Sequence, residues 1–240
     1  MSTNVPALDA IAVSKRYDDL VALDDCTLGA SSGELIALIG HNGSGKSTFL
    51  KIAAGLLEPS EGSIEIDGAA AGSLKARAAL SYIPDNPVLY DDLSVFEHVE
   101  YLARLHPGIG DWERDAANLM VRLGLDERID DLPARFSRGL RQKTSLLLGL
   151  VRPFEVLLVD EPFVGLDPAG QDACLELLVE QADAGRAVVV ATHQMRFLEV
   201  ATRGIVLRDG AQIHDGPVGP DALAPDEVLR MLGDPGGHGT

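Results

Sequence analysis

The chain has 240 residues, 46% of them hydrophobic, enough for one large domain or one domain with a subdomain. Its formal net charge is −17, from 20 basic and 37 acidic residues, which argues against a nucleic-acid backbone as the main partner. No apolar run reaches the roughly 18 residues that a membrane span needs, and two cysteines, Cys26 and Cys174, are too few for a disulfide framework.

The opening MSTNVPALDA has neither a basic start nor an apolar h-region, so no signal peptide is expected and both thiols are expected to be reduced in a cytoplasmic protein. The next stretch, LDAIAVSKRYDDLVALDDCTL, alternates as antiparallel strands do. Leu35 to Ile39 is a short continuous apolar run, the pattern of a strand buried on both faces. A helix is predicted from about Lys46. GSIEIDG, Gly62 to Gly68, reads as a strand closed by an Asp-Gly turn, and Leu80 to Pro84 as another strand. Ser94 and Glu97 have the spacing of a capping box for a helix running to about Leu105. Asp111 is placed to cap a second helix that ends before Gly124.

Val156 to Asp160 and Ala187 to Thr192 are β-branched buried strands. Between them Asp167-Pro168 starts a helix with proline in its first turn. GIVLRDGAQIHDG is a hairpin around Asp209-Gly210. This order predicts an α/β core of mostly parallel sheet flanked by helices, a helical insert near residues 90–150, and an antiparallel contribution from strands at both ends. The last residues, GDPGGHGT, read as a frayed tail.

Gly40-His41-Asn42-Gly43-Ser44-Gly45-Lys46-Ser47, followed by Thr48, fits G-x-x-x-x-G-K-[ST]. Glycines let backbone N–H groups approach phosphate oxygens, and the helix that follows aims the positive end of its dipole at the same charge. Lys46 then reaches the terminal phosphates and the Ser47 hydroxyl joins the shell of Mg2+. The match lies after a buried strand and before a helix, where such a loop must lie. Downstream, VLLVDEP ends an apolar strand in two carboxylates: Asp160 suits an Mg2+ contact, and Glu161 is placed to polarise an attacking water. Neither Asn-Lys-x-Asp nor Thr-Lys-x-Asp occurs, so a guanine nucleotide is disfavoured.

With these motifs in this order, the chain resembles the ATP-binding subunit of an ABC transporter over nearly its whole length, about Leu8 to Leu232. The resemblance implies a P-loop NTPase core (mostly parallel sheet flanked by helices), an N-terminal antiparallel β subdomain and an α-helical signature subdomain at about 86–152. It implies a single ABC ATPase domain at 1–232, with a flexible tail at 233–240. Tyr17, in VSKRYDDLVAL, matches the aromatic residue that stacks on adenine. FVGLDP matches the loop after the catalytic glutamate, with Asp167 at its aspartate, and His193, in VVVATHQM, matches the switch histidine that contacts the γ-phosphate. The family's Leu-Ser-Gly-Gly-Gln signature is represented by Phe136-Ser137-Arg138-Gly139-Leu140, and Ser137, Arg138 and Gly139 are assigned to the ATP held by a second subunit.

The chain departs from the family's pattern in two places. Arg138 and Leu140 replace a glycine and the glutamine of the signature; similar S-K-G-M-R-Q variants in bacterial export systems favour an exporter. Asp85 stands where the family has a glutamine that contacts Mg2+ and water, and a carboxylate offers acceptors but no amide donor. The resemblance implies ATP and Mg2+ as ligands and a second ATP-binding subunit, homodimeric or heterodimeric. It also implies an integral membrane subunit docking near Asn86 to His98, at the cytoplasmic face of the cell membrane, with no nucleic-acid partner. An importer subunit and a soluble relative, such as one serving iron–sulfur cluster assembly, stay open as alternatives.

Overall fold

The computed structural model describes residues 6–106, 110–218, 222 and 224–233. In chain order its elements are β1 (Leu8–Tyr17), β2 (Leu20–Ala30), β3 (Leu35–Ile39), α1 (Lys46–Ala53), β4 (Glu61–Ile66), β5 (Ala69–Ala70), α2 (Leu74–Ala79) and β6 (Leu80–Ile83). Then come α3 (Val95–Leu105), α4 (Trp112–Leu123), α5 (Arg138–Val151), β7 (Val156–Asp160), α6 (Pro168–Asp183), β8 (Ala187–Thr192), β9 (Arg203–Arg208), β10 (Ala211–Pro217) and α7 (Pro225–Leu232). The strands form one ten-stranded sheet in the order β5-β4-β1-β2-β10-β9-β3-β8-β7-β6.

The central strands explain the continuous apolar runs. All five residues of β3 are buried, as are those of β7 and all six of β8. Alternate residues serve two cores: Leu35, Ala37 and Ile39 face the helices α5 and α6, while Ile36 and Leu38 face α1. A strand covered on both faces has no polar side. Each fully buried leucine or valine contributes about 1.5–3 kcal/mol from removal of apolar surface, so one charge in β3, β7 or β8 would cost more than most single interactions supply.

The expected hairpin near Asp209-Gly210 is present; its two strands are antiparallel to each other, and each is parallel to its outer neighbour, β9 to β3 and β10 to β2. The N-terminal antiparallel strands and the parallel core are therefore one continuous sheet. The helices between β6 and β7 share the core with the sheet: Val95 and Val99 of α3, Met120 and Leu123 of α4, and Leu146 and Leu147 of α5 pack in the same cluster as Ile83 and Leu157. The Ser94 capping box is formed, with Ser94 Oγ accepting from Glu97 N–H and the Glu97 carboxylate accepting from Ser94 N–H. Asp111 stands at the expected cap position of α4, but its side chain makes no capping hydrogen bond. From residue 234 onward the predicted tail lies outside the described residues.

Candidate nucleotide-binding site

β3, β8, β7 and β6 lie side by side and parallel. Their C-terminal ends therefore open at one edge of the sheet, where ligands of open α/β sheets bind. The loop after β3 is Gly40–Gly45; after β8 stands His193, after β7 Glu161, and just beyond β6 Asp85. Four sequence-distant motifs thus arrive in a row through strand order alone.

The glycines of the loop are required by space and by backbone. A Cβ on Gly40 would collide with Ser44 Oγ and the Leu207 carbonyl, and Gly45 has φ +104° with Ala22 O only 2.7 Å from where its Cβ would stand. Lys46 Nζ donates to Gly40 O at 2.7 Å and to His41 O at 3.2 Å, and lies 3.6 Å from Glu161 Oε1. Burial lowers the Lys46 pKa, against the opposing pull of Glu161 and Asp160. His41 reaches out of the loop to Leu232 O, 3.1 Å away, at the end of α7.

Asp160 ends β7 with 2% exposure, and its carboxyl is pushed above the usual range, first by burial and then by Glu161 and Asp85, against a hydrogen bond from Ser47. Its Oδ1 is buried without a protein donor. An anionic oxygen with no donor, beside a serine hydroxyl at a helix start, fits a hard divalent cation that takes its other ligands from phosphates and water. No cluster of three or more His, Cys, Asp or Glu side chains able to hold a metal occurs among the described residues.

Glu161 has a left-handed backbone, φ +47°, unusual for a long side chain and costly by about 1–3 kcal/mol. Its carboxylate is 12% exposed and lies between Lys46 and His193. His193 Nδ1 is 2.9 Å from Glu161 Oε2; since a carboxylate only accepts, the proton sits on Nδ1 and leaves Nε2 outward.

Asn42, Gly43, Ser44, Gly45, Lys46, Ser47, Thr48, Asp85 and Glu161 line one cleft of about 420 Å3, with Tyr17, Leu20, Val21 and Ala22 on its other wall. Leu20, Val21 and Ala22 were not singled out from sequence; their nearness to Tyr17 across the β1–β2 turn was the available signal. Tyr17 is 46% exposed, with Lys15 Nζ over its ring at 5.1 Å.

The signature residues do not line this cleft. Ser137 caps α5, accepting from Leu140 N–H at 3.2 Å, and a Cβ on Gly139 would collide with the Gly165 carbonyl. Arg138 pairs with Asp85 at 3.0 Å. Asp167 caps α6 through Gly170 N–H and pairs with Lys143 Nζ at 3.2 Å, which holds its carboxyl below the usual range. These ion pairs escaped the sequence reading. A cation in the first turns of a helix is disfavoured by the dipole, and Arg138, Arg141 and Lys143 were a signal that acidic partners must stand nearby.

A second groove, of about 320 Å3, lies between the free edge of β6 and the helices α3 and α5. Val88, Tyr90 and His98, from the segment expected to dock a membrane subunit, line it with Tyr101 and Leu148. Val88 is 93% exposed and Tyr90 56%. His98 is buried and fixed in one tautomer, Nδ1–H donating to Ser94 O and Nε2 accepting from Tyr90 N–H.

A parallel sheet whose central strand runs into a glycine-rich loop and a lysine, beside two strand-end carboxylates, defines a P-loop nucleotide-binding protein. The chain belongs to the ABC transporter family, as an ATP-binding subunit: the sequence profile described as ABC transporter matches residues 23–164. It is 33% identical to the SkfA peptide export ATP-binding protein SkfE of Bacillus subtilis (strain 168), over 92% of this chain and 95% of that protein. It is also 33% identical to the macrolide export ATP-binding/permease protein MacB of Pectobacterium atrosepticum, covering 92% of this chain but 36% of that longer protein. A solved structure of an ATP-binding subunit of an ABC transporter superposes with a TM-score of 0.87 at 32% identity, over 94% of this chain and 99% of that one. The family's ATP-binding chains are ATPases.

Proposed function

We propose that this chain is the Mg2+-dependent ATPase subunit of a membrane exporter, working as a head-to-tail dimer at the cytoplasmic face of the membrane. The observation that carries the reading is that Lys46, Ser47 and Glu161 line one cleft, with Asp160 bonded to Ser47 and His193 to Glu161. Relatives named for export support the direction, and a relative that fuses the ATP-binding part to a permease supports a membrane partner. Among the described residues no helix is long and apolar enough to cross a membrane.

The roles follow from the geometry. Tyr17 stacks on adenine, and the N–H groups of Gly40–Thr48 cradle the phosphates. Lys46 exchanges its two carbonyl partners for phosphate oxygens, a better match for its charge. Mg2+ held by Ser47 and Asp160, with Asp85 close by, would neutralise the charge on the outer phosphates. Glu161 Oε1, which has no hydrogen-bond donor, orients the attacking water and takes its proton, while His193 steadies Oε2 and turns Nε2 to the γ-phosphate. Ser137, Arg138 and Gly139 meet the γ-phosphate of the second subunit, beside Asp167. That Ser137 and Gly139 lie outside the chain's own cleft supports a site completed in trans. The insert at 86–152 carries this surface, and its groove takes the membrane subunit.

The test pairs two variants. Lys46→Ala is expected to lose at least about 30-fold in ATP affinity, the lower end of the 2–5 kcal/mol for truncating a buried charged contact. Glu161→Gln is expected to bind ATP and hydrolyse it about 10²–10⁴-fold more slowly. Normal turnover by Glu161→Gln would remove it as the general base.

A further inference from the structure

Two of the three positions at which this chain departs from its family's pattern touch each other. Asp85 follows β6 and Arg138 opens α5, 53 residues apart in sequence, and Arg138 Nη2 lies 3.0 Å from Asp85 Oδ1. The second carboxylate oxygen, Oδ2, accepts from Asn86 Nδ2 at 3.1 Å. Asp85 is at the same time part of the wall of the nucleotide cleft with Lys46, Ser47 and Glu161, and its charge raises the pKa of Asp160. Arg138 is at the same time the residue between Ser137 and Gly139, with its aliphatic stem against Gly165 in the loop that leads to Asp167. One ion pair therefore joins the wall of a chain's own cleft to the turn that the proposed function gives to the second chain's nucleotide.

We propose that the Asp85–Arg138 pair is a positioning element that is made in the nucleotide-free chain and exchanged in the ATP-bound dimer, so that filling one cleft readies the same chain's signature turn for the other. The inference rests on the head-to-tail reading above. Its physical basis is competition for two charges. Phosphates entering the cleft oppose Asp85, and a cation accompanying them attracts it. The cation competes with Arg138 for the Asp85 carboxylate and so loosens the pair, while the Arg138 guanidinium is half-exposed beside a helix start that already favours anions. A phosphate presented by a second chain is then the better partner for Arg138. Lys143–Asp167 holds the rest of the first turns of α5 in place, so the exchange re-aims one side chain without unpacking the helix.

A double-mutant cycle tests this. Asp85→Asn, Arg138→Gln and the double variant are made in the Glu161→Gln background, and the Mg2+-ATP concentration at half-dimerisation is measured by light scattering. A pair made in one state only gives a coupling between the two substitutions, expected here at about fivefold or more in that midpoint. Asp85→Asn alone is expected to lower the midpoint by freeing Arg138, and Arg138→Gln to raise it. A pair made equally in both states cancels from the midpoint, so effects that multiply independently overturn the proposal. The same holds for a coupling seen only in thermal unfolding of the nucleotide-free chain, which marks a structural brace. If the Glu161→Gln chain itself stays monomeric with Mg2+-ATP, the head-to-tail pairing of identical chains fails and takes the inference with it. If it dimerises and the cycle shows no coupling, the inference alone fails.

Discussion

Asp160 and Glu161 are neighbours with opposite surroundings. Asp160 is buried, carries a carboxyl raised by that burial, and leaves Oδ1 without a donor; Glu161 is steadied on both sides by Lys46 and His193. A carboxylate beside phosphates is unfavourable unless a cation lies between them. Asp160→Asn keeps the shape and removes the charge. It is expected to weaken the Mg2+ contribution to ATP binding by about 10–100-fold while leaving metal-free ATP binding equal or tighter. ATP titrations with Mg2+ and with chelator check both halves, and an undiminished Mg2+ effect would separate Asp160 from the metal. These residues were legible in sequence because each follows an apolar strand, so strand-end position and chemistry coincide. Asp85–Arg138 and Lys143–Asp167 were not, since no local pattern says which loop a helix start will face.

α3 shows how one short element serves two purposes. Ser94 closes its first turn through the capping box and also offers its carbonyl to His98, which in turn accepts from Tyr90 N–H in the wall of the second groove. Ser94→Ala removes one of these links. The expected cost is about 1 kcal/mol, or a drop of about 2–4 °C in Tm for a chain of this size. Thermal unfolding by circular dichroism checks it, and an unchanged Tm would show that packing of Val95 and Val99 alone sets the helix start. This cap was readable because its spacing is local. α2 and α7 were not read: at six and eight residues they are shorter than the window in which a helical period stands out. The direction of β9 was equally hidden, because a hairpin motif fixes the relation of β9 to β10 and says nothing of their neighbours.

At the scale of the whole molecule, the net charge of −17 sets the terms for association. Two such chains repel, so in the head-to-tail reading proposed above the attraction that closes them comes from nucleotides held between the cleft of one and the signature turn of the other. Glu161→Gln is expected to shift from monomer to dimer in light scattering only with Mg2+-ATP, and to do so at lower protein concentration as salt screens the repulsion. A persistent monomer that still binds ATP would require a different second chain. The α/β class was legible from alternating strand and helix patterns; the strand order was not, because pairing between distant segments leaves no local trace.

That order has a temporal consequence. β3, which delivers the phosphate loop, lies between β8 and β9, the strands at Ala187–Thr192 and Arg203–Arg208. During synthesis the ribosome releases the apolar segment Leu35–Ile39 early and both of its flanking strands late. At about 5–20 residues per second, that segment waits about 10–30 s for its partners. The newborn chain therefore holds a wholly apolar strand unpaired through much of its synthesis, and has reason to recruit a holding chaperone before it can recruit a nucleotide.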